Sequence, residues 1–105
     1  SASKRPESSD VVRERVLSAH AKQMQRQGKS NALLNVDELE QVADIATEAT
    51  QYLSKLMNDL NLSARSYHRL LRVARTCADL QADAVVKTGH IVVAIQFRRA
   101  WTNPL

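Results

Sequence analysis

The stretch Leu62 to Leu80, LSARSYHRLLRVARTCADL, carries four arginines and a histidine at helical spacing. At about 100° per residue, Arg65, His68, Arg69, Arg72, Arg75 and Asp79 fall on one side of a helix. A row of guanidinium groups suits oxyanion binding, because each presents paired N–H donors and keeps its charge. Arg65 has the most telling position. With Ser63 as the helix cap, Arg65 lies in the first turn, where a cation opposes the helix dipole at a cost of about 0.3–1 kcal/mol. An anion held between that helix end and Arg65 reverses the penalty, and phosphate fits both. The other reading of Arg65 is a solvated surface arginine, since most surface charges contribute little.

Other reactive residue types lack partners along the chain. Gly28 and Gly89 are isolated, so there is no glycine-rich phosphate loop. His20, His68 and His90 fall on separate predicted helices, with no cysteine or carboxylate at metal-ligand spacing. Cys77 sits on an apolar face without an evident histidine to activate it, and reads as an ordinary buried thiol. Neither a metal site nor catalysis by this chain alone is expected.

The elements that must position the arginines are written locally. The other face of the 63–80 helix is apolar, with Tyr67, Leu70, Leu71, Ala74, Cys77 and Ala78. Leu62 before the cap and Tyr67 at the fourth helical position have the spacing of a hydrophobic staple. Upstream, a helix is predicted to begin near Ser8, Ser9 or Asp10 and to run to Gln27, with Gly28 as its left-handed stop. Its apolar content is thin: Val12, Val16 and Ala19 on one line, Leu17, Ala21 and Met24 on another. Arg13, Arg15, Lys22 and Arg26 make it basic. It reads as a solvated helix over the edge of the core, or as one that faces a partner domain.

In the connection KSNALL, Lys29 to Leu34, two apolar residues should tuck inward. Asn35 and Glu38 have capping-box spacing. The apolar stripe from Leu39 to Leu60 taken alone gives one helix. The β-branched residues at Ile45 and Thr47, with Thr47 as a cap, favour a break there, so two helices are expected, closed by Asn61. Gln81 to Lys87 is a loop with Val85 or Val86 pointing in. Thr88 then caps a last helix, His90 to Ala100. The run VVKTGHIVVAIQF is rich in β-branched residues, but a strand there would find no partner strand. Residues 1–7 read as a disordered lead-in and 101–105 as a tail.

Composition agrees. Of 105 residues 44% are hydrophobic but only 4% aromatic, so the core must be mostly Leu, Val, Ile and Ala. Helix formers dominate, and glycine and proline are scarce. The fold class is all-α: one small bundle of four to five helices over residues 8–100. A net charge of +4 permits contact with nucleic acid or nucleotide phosphate without demanding it. No apolar run approaches the roughly 20 residues that span a membrane. No secretory pattern is present, and a cytoplasmic setting without membrane contact is expected.

The segment SARSYHRLLRVARTCADL resembles the signature of the Mg-chelatase-like C-terminal domain of ComM/YifB-type AAA+ ATPases. ESSDVVRERV, RQGKSNALL and HIVVAIQFR resemble the flanks of that domain, so the likeness covers nearly the whole chain. It implies the helical lid that follows a nucleotide-binding α/β core. That core, with its phosphate loop and metal-binding acids, would lie upstream and supply Mg. Arg65 resembles the sensor 2 arginine that reaches ATP phosphate. Arg69 and Arg72 could add to the same face or meet a neighbouring subunit of a ring. The implied parent is a DNA-processing motor, moving branched DNA in natural transformation. Two positions depart from the family pattern. Ala46 stands where the family usually has an acid or hydroxyl cap, and Cys77 where it often has Ile.

A rival reading uses the residues alone: a free-standing helical module that binds nucleic acid through Arg65, Arg69, Arg72 and Arg75. A third is a protein-interaction domain with no phosphate contact.

Overall fold

The structure is a computed structural model and describes residues 7–98. The element order among them is α1 (Ser9–Gln27), a 3-10 turn (Asn31–Leu33), α2 (Val36–Val42), α3 (Thr47–Leu60), α4 (Ala64–Leu80) and α5 (Thr88–Gln96). The expected all-α bundle is the observed architecture. Most of the expected lead-in, the tail with Trp101, and residues 99–100 of the expected last helix lie outside the described residues.

Helix ends follow their caps. The Ser8 hydroxyl accepts from the Val11 N–H, and Gly28 closes α1 at φ 77°. Asn35 and Glu38 exchange bonds at 2.8 Å each, a complete capping box for α2. Asn61, at φ 50°, ends α3. α5 begins earlier than expected. Lys87 is its cap residue, and Thr88 is the first helical residue rather than the cap.

The break between α2 and α3 occurs as expected, but its cause is different. Thr47 is already helical, and the cap position holds Ala46, which has no side chain to offer. The turn is fixed from across the fold. The Ala46 N–H donates to Val86 O at 2.9 Å, and the Val86 N–H donates to Asp44 O at 2.8 Å. This pairs Ile45 with Val86 as an isolated parallel bridge. Asp44 takes the left-handed region, φ 46°, to make the corner.

Helix α4 lies between two apolar clusters. Leu70, Ala74 and Ala78 pack with Ala49 and Leu53 of α3, Val86, and Ile91 and Ala94 of α5. Leu71 closes the other cluster with Leu34, Leu39 and Ala43. Leu62 and Tyr67, the staple residues, pack partly buried against the first cluster. In the 29–34 connection only Leu34 tucks in. Leu33 is 70% exposed, and the buried residue of the 3-10 turn is Asn31.

Candidate functional site

The sequence placed Arg65, Arg69, Arg72 and Arg75 on one solvent-facing side of α4. The structure divides them. Arg75 is 1% exposed, and Asp79, expected beside it on the surface, is 3% exposed. They form an ion pair at 3.1 Å, inside the bundle. The wheel fails here because α4 is enclosed on several sides, by α1, α2, α5 and the 3-10 turn. A polar residue on such a helix is buried if it finds partners.

Arg75 finds many. Its Nη1 donates to Ala43 O at 3.0 Å, to Ala84 O at 3.2 Å and to Val42 O at 3.4 Å. Its Nη2 donates to Asp79 Oδ1 and to Asp83 O, each at 3.1 Å. Val42 and Ala43 end α2, so Arg75 caps that helix's terminal carbonyls with a cation where the dipole favours one. It thereby holds both segments that the Ile45–Val86 bridge joins. Arg75 Nε is buried without a partner.

Asp79 extends the network to α1. Arg26 reaches both its oxygens, at 2.8 and 3.0 Å. Asn31 Nδ2 donates to Asp79 Oδ2 at 2.9 Å and to Thr76 Oγ1 at 3.1 Å. The Asn31 N–H is taken by Gln23 Oε1 at 2.9 Å. Burial pushes the Asp79 carboxyl up, but the bonds from Arg26 and Asn31 and the charges of Arg75 and Arg26 outweigh it and hold the group below the usual carboxylate range. For Arg75, burial lowers the guanidinium against the opposing pull of Asp79.

Arg72 is half-buried, and its Nη1 donates to the carbonyls of Asn31 and Leu34, the latter at 2.9 Å. Its guanidinium ties α4 to the 3-10 turn. Arg69 is exposed. The four-arginine surface therefore does not exist as drawn from the wheel.

Arg65 is different. It is exposed in the first turn of α4 and makes no hydrogen bond or ion pair among the described residues. The turn that carries it is well fixed. The Ser63 hydroxyl accepts from the Ser66 N–H at 3.1 Å. His68 Nδ1 lies 2.8 Å from Ala64 O, and its Nε2 lies 3.0 Å from Glu40 Oε1 of α2. A carbonyl and a carboxylate both accept, so each contact is made by a ring N–H. This clip ties the start of α4 to α2, and Arg65 stands beside it facing outward. With Ser66 capped, the N–H groups of the first two helical residues, Ala64 and Arg65, remain pointed out of the helix end.

One other concavity has reactive residue types. A groove of about 1160 Å³ is lined by Arg15 and Ser18 of α1 and by Cys77, Asp83 and His90, among others. Cysteine, histidine and aspartate together suggest a thiol nucleophile, but the bonding opposes it. His90 Nδ1 accepts from the Lys87 N–H at 2.8 Å, and Nε2 lies 2.9 Å from Asp83 Oδ2. No ring nitrogen is left to act as base toward Cys77. Burial pushes the Cys77 thiol up, the opposite of activation. Cys77 is half-buried against this groove rather than sealed in the core. The described residues include no group of three or more His, Cys, Asp or Glu able to hold a metal ion. Among them no helix is long and apolar enough to cross a membrane.

Fold and site together define a small all-α domain, locked by a buried polar network, that turns the start of one helix outward with Arg65, an arginine without a hydrogen-bond or ion-pair partner among the described residues. Residues 6–98 match the family described as magnesium chelatase, subunit ChlI C-terminal, and the chain belongs to that family. It is 43% identical over 94 residues to competence protein ComM of Haemophilus influenzae, a match covering 90% of this chain and 18% of that protein. It is 37% identical over 92 residues to YifB of Escherichia coli K12, covering 88% of this chain and again 18% of the relative. The chain thus spans less than a fifth of the length of the curated relatives it matches.

Proposed function

We propose that this chain is the helical lid of a ComM/YifB-type AAA+ ATPase and that Arg65 is its sensor 2 arginine, reaching the phosphates of ATP. The ATP, with its Mg, is held by an upstream core domain of the same polypeptide. The observation that carries the reading is the state of Arg65. It is a cation at the unfavourable end of a helix, exposed, without a partner, on a turn braced by Ser63 and by the His68–Glu40 contact. Phosphate at that end satisfies the guanidinium and the outward N–H groups of the first turn together. Arg69 is exposed one turn further along α4 and would lie toward a neighbouring subunit in a ring. Arg72 contributes by holding α4 in place rather than by touching nucleotide.

Lid rotation about the core, driven by hydrolysis, would carry motion between subunits of the ring. The longer polypeptide would be a cytoplasmic motor that moves branched DNA during natural transformation. The similarity to the Haemophilus competence protein supports that assignment.

The test is Arg65→Ala in the full-length protein. A charge-assisted contact contributes about 1.5–3 kcal/mol, so ATP turnover should fall roughly 10- to 100-fold with this domain still folded. Turnover within twofold of the parent would remove Arg65 from the site.

A further inference from the structure

We propose that the first half of α1 is the face on which the upstream part of the same polypeptide docks. The stripe Val12, Val16, Ala19, Gln23 runs down one side of α1 at helical spacing. Its lower half is covered: Ala19 and Gln23 are the buried residues of α1, which packs mainly on α4. Its upper half continues uncovered through Val16 and Val12. From Ser9 to Ser18 every residue is exposed, and among the apolar ones Val12 is 43%, Val16 50% and Leu17 60% accessible. This half of the helix overhangs the bundle and forms one wall of the groove described above, through Arg15 and Ser18.

Such a segment has little to hold it in water. A helical stretch of about ten residues without tertiary burial is marginal, and its stability comes from packing when it has any. Locally it has the Ser8 cap and the pairing of Glu7 with Arg15, an exposed ion pair of small effect. A helix built with about two turns of uncovered valine and leucine, Val11 to Leu17, is a helix with a missing partner.

The occupant follows from chain length and order. The matched family is a C-terminal one, and the matched region is 18% of each relative, so the bulk of the polypeptide precedes α1. A face that lies within a few residues of that junction meets the preceding region at an effective concentration of about millimolar, far above what a separate molecule offers. The inference rests on the same reading of the chain as the C-terminal part of a longer protein, but not on any contact of Arg65 with nucleotide.

The experiment is amide hydrogen exchange on α1 in the full-length protein and in this 105-residue chain, without nucleotide. In the full-length protein the amides of residues 12–18 should exchange roughly 100-fold more slowly than in the short chain, at every protein concentration. Val12→Asp with Val16→Asp in the full-length protein should abolish that difference while leaving the protection of α4 unchanged. Equal exchange in the two proteins overturns the proposal. Protection that disappears on dilution also overturns it, since the cover is then a neighbouring subunit. Because no step reads ATP, loss of the Arg65 assignment would leave this result intact, and the reverse holds too.

Discussion

Arg26 and Asp79 meet across 53 residues of sequence, with both guanidinium prongs on both carboxylate oxygens at 2.8 and 3.0 Å. The pair joins the C-terminal half of α1 to the last turn of α4. Arg75, one turn earlier in α4, approaches the same carboxylate from inside at 3.1 Å. One buried anion thus serves two cations, and a hydrogen bond from Asn31 completes its coordination. Removing the anion should be costly, because it strands a fully buried Arg75. Asp79→Ala is expected to lower unfolding stability by about 3–5 kcal/mol. Arg75→Ala should be comparable, as it frees the carbonyls that end α2 and leaves a cavity. The double variant should cost less than the sum of the two, since both disrupt one network. Denaturant titrations of the four proteins measure it.

The same anion predicts an acid transition. Asp79 is held below the ordinary carboxylate range, so on acidification the unfolded chain takes the proton first. Its contribution is complete above the unfolded value, about pH 4, and is lost as pH falls through the lower folded value. Stability should therefore rise with pH in the acid range below about pH 4 in the parent. Asp79→Asn should flatten that rise while being less stable at neutral pH. Urea unfolding at intervals from pH 2 to 6 gives both curves, and parallel curves would rule out Asp79 as the titrating group.

Caps were readable because they are local. Ser8, Asn35 and Ser63 each bond a backbone N–H three residues on, and Gly28 and Asn61 supply the left-handed turn at the end of their own helices. The position of Arg65 in its helix, and hence the candidate site, came from that register. Burial was less readable because it is decided at a distance. A wheel assigns one inner and one outer side, but α4 is surrounded. Arg75 goes inside because carbonyls 32 and 33 residues away and a carboxylate one turn on receive it. Asn31 displaced Leu33 as the buried member of its turn for the same kind of reason, since its partners Gln23, Thr76 and Asp79 come from two helices. No local pattern announces such a hub.

The start of α3 offers a stabilising change. Ala46 occupies the cap position in extended backbone, φ −58°, ψ 148°, with no side-chain bond to the first turn. Its own N–H is already taken by Val86 O. A serine there keeps that bond and adds an oxygen for the orphan N–H groups of α3. Ala46→Ser should raise stability by about 0.5–2 kcal/mol, seen as a higher midpoint in thermal or urea unfolding. A gain would identify the missing cap as a weakness of this chain. A loss would mean that the packing of Ala46 against the core cluster cannot accept a hydroxyl.

Arg72 and Arg65 should separate cleanly in experiment, although both began as members of one basic face. Arg72 donates to the carbonyls of Asn31 and Leu34, so Arg72→Ala should cost about 1–3 kcal/mol of folding stability. Arg65 is exposed and makes no hydrogen bond or ion pair among the described residues, so Arg65→Ala should change stability by less than about 0.5 kcal/mol. The same division bears on nucleic acid. Each phosphate contact contributes about 0.9 to the slope of log affinity against log salt. With Arg72 and Arg75 tied inside, only Arg65 and Arg69 of the four are exposed, and this face should add no more than about 2 to the magnitude of the slope for duplex DNA binding. A slope near 4, lost on Arg72→Ala without loss of stability, would mean that the guanidinium leaves its carbonyls for DNA and that the nucleic-acid reading holds. A shallow slope with a stability loss for Arg72→Ala is the outcome that the proposed lid role of Arg65 expects, and it removes the nucleic-acid reading of this face.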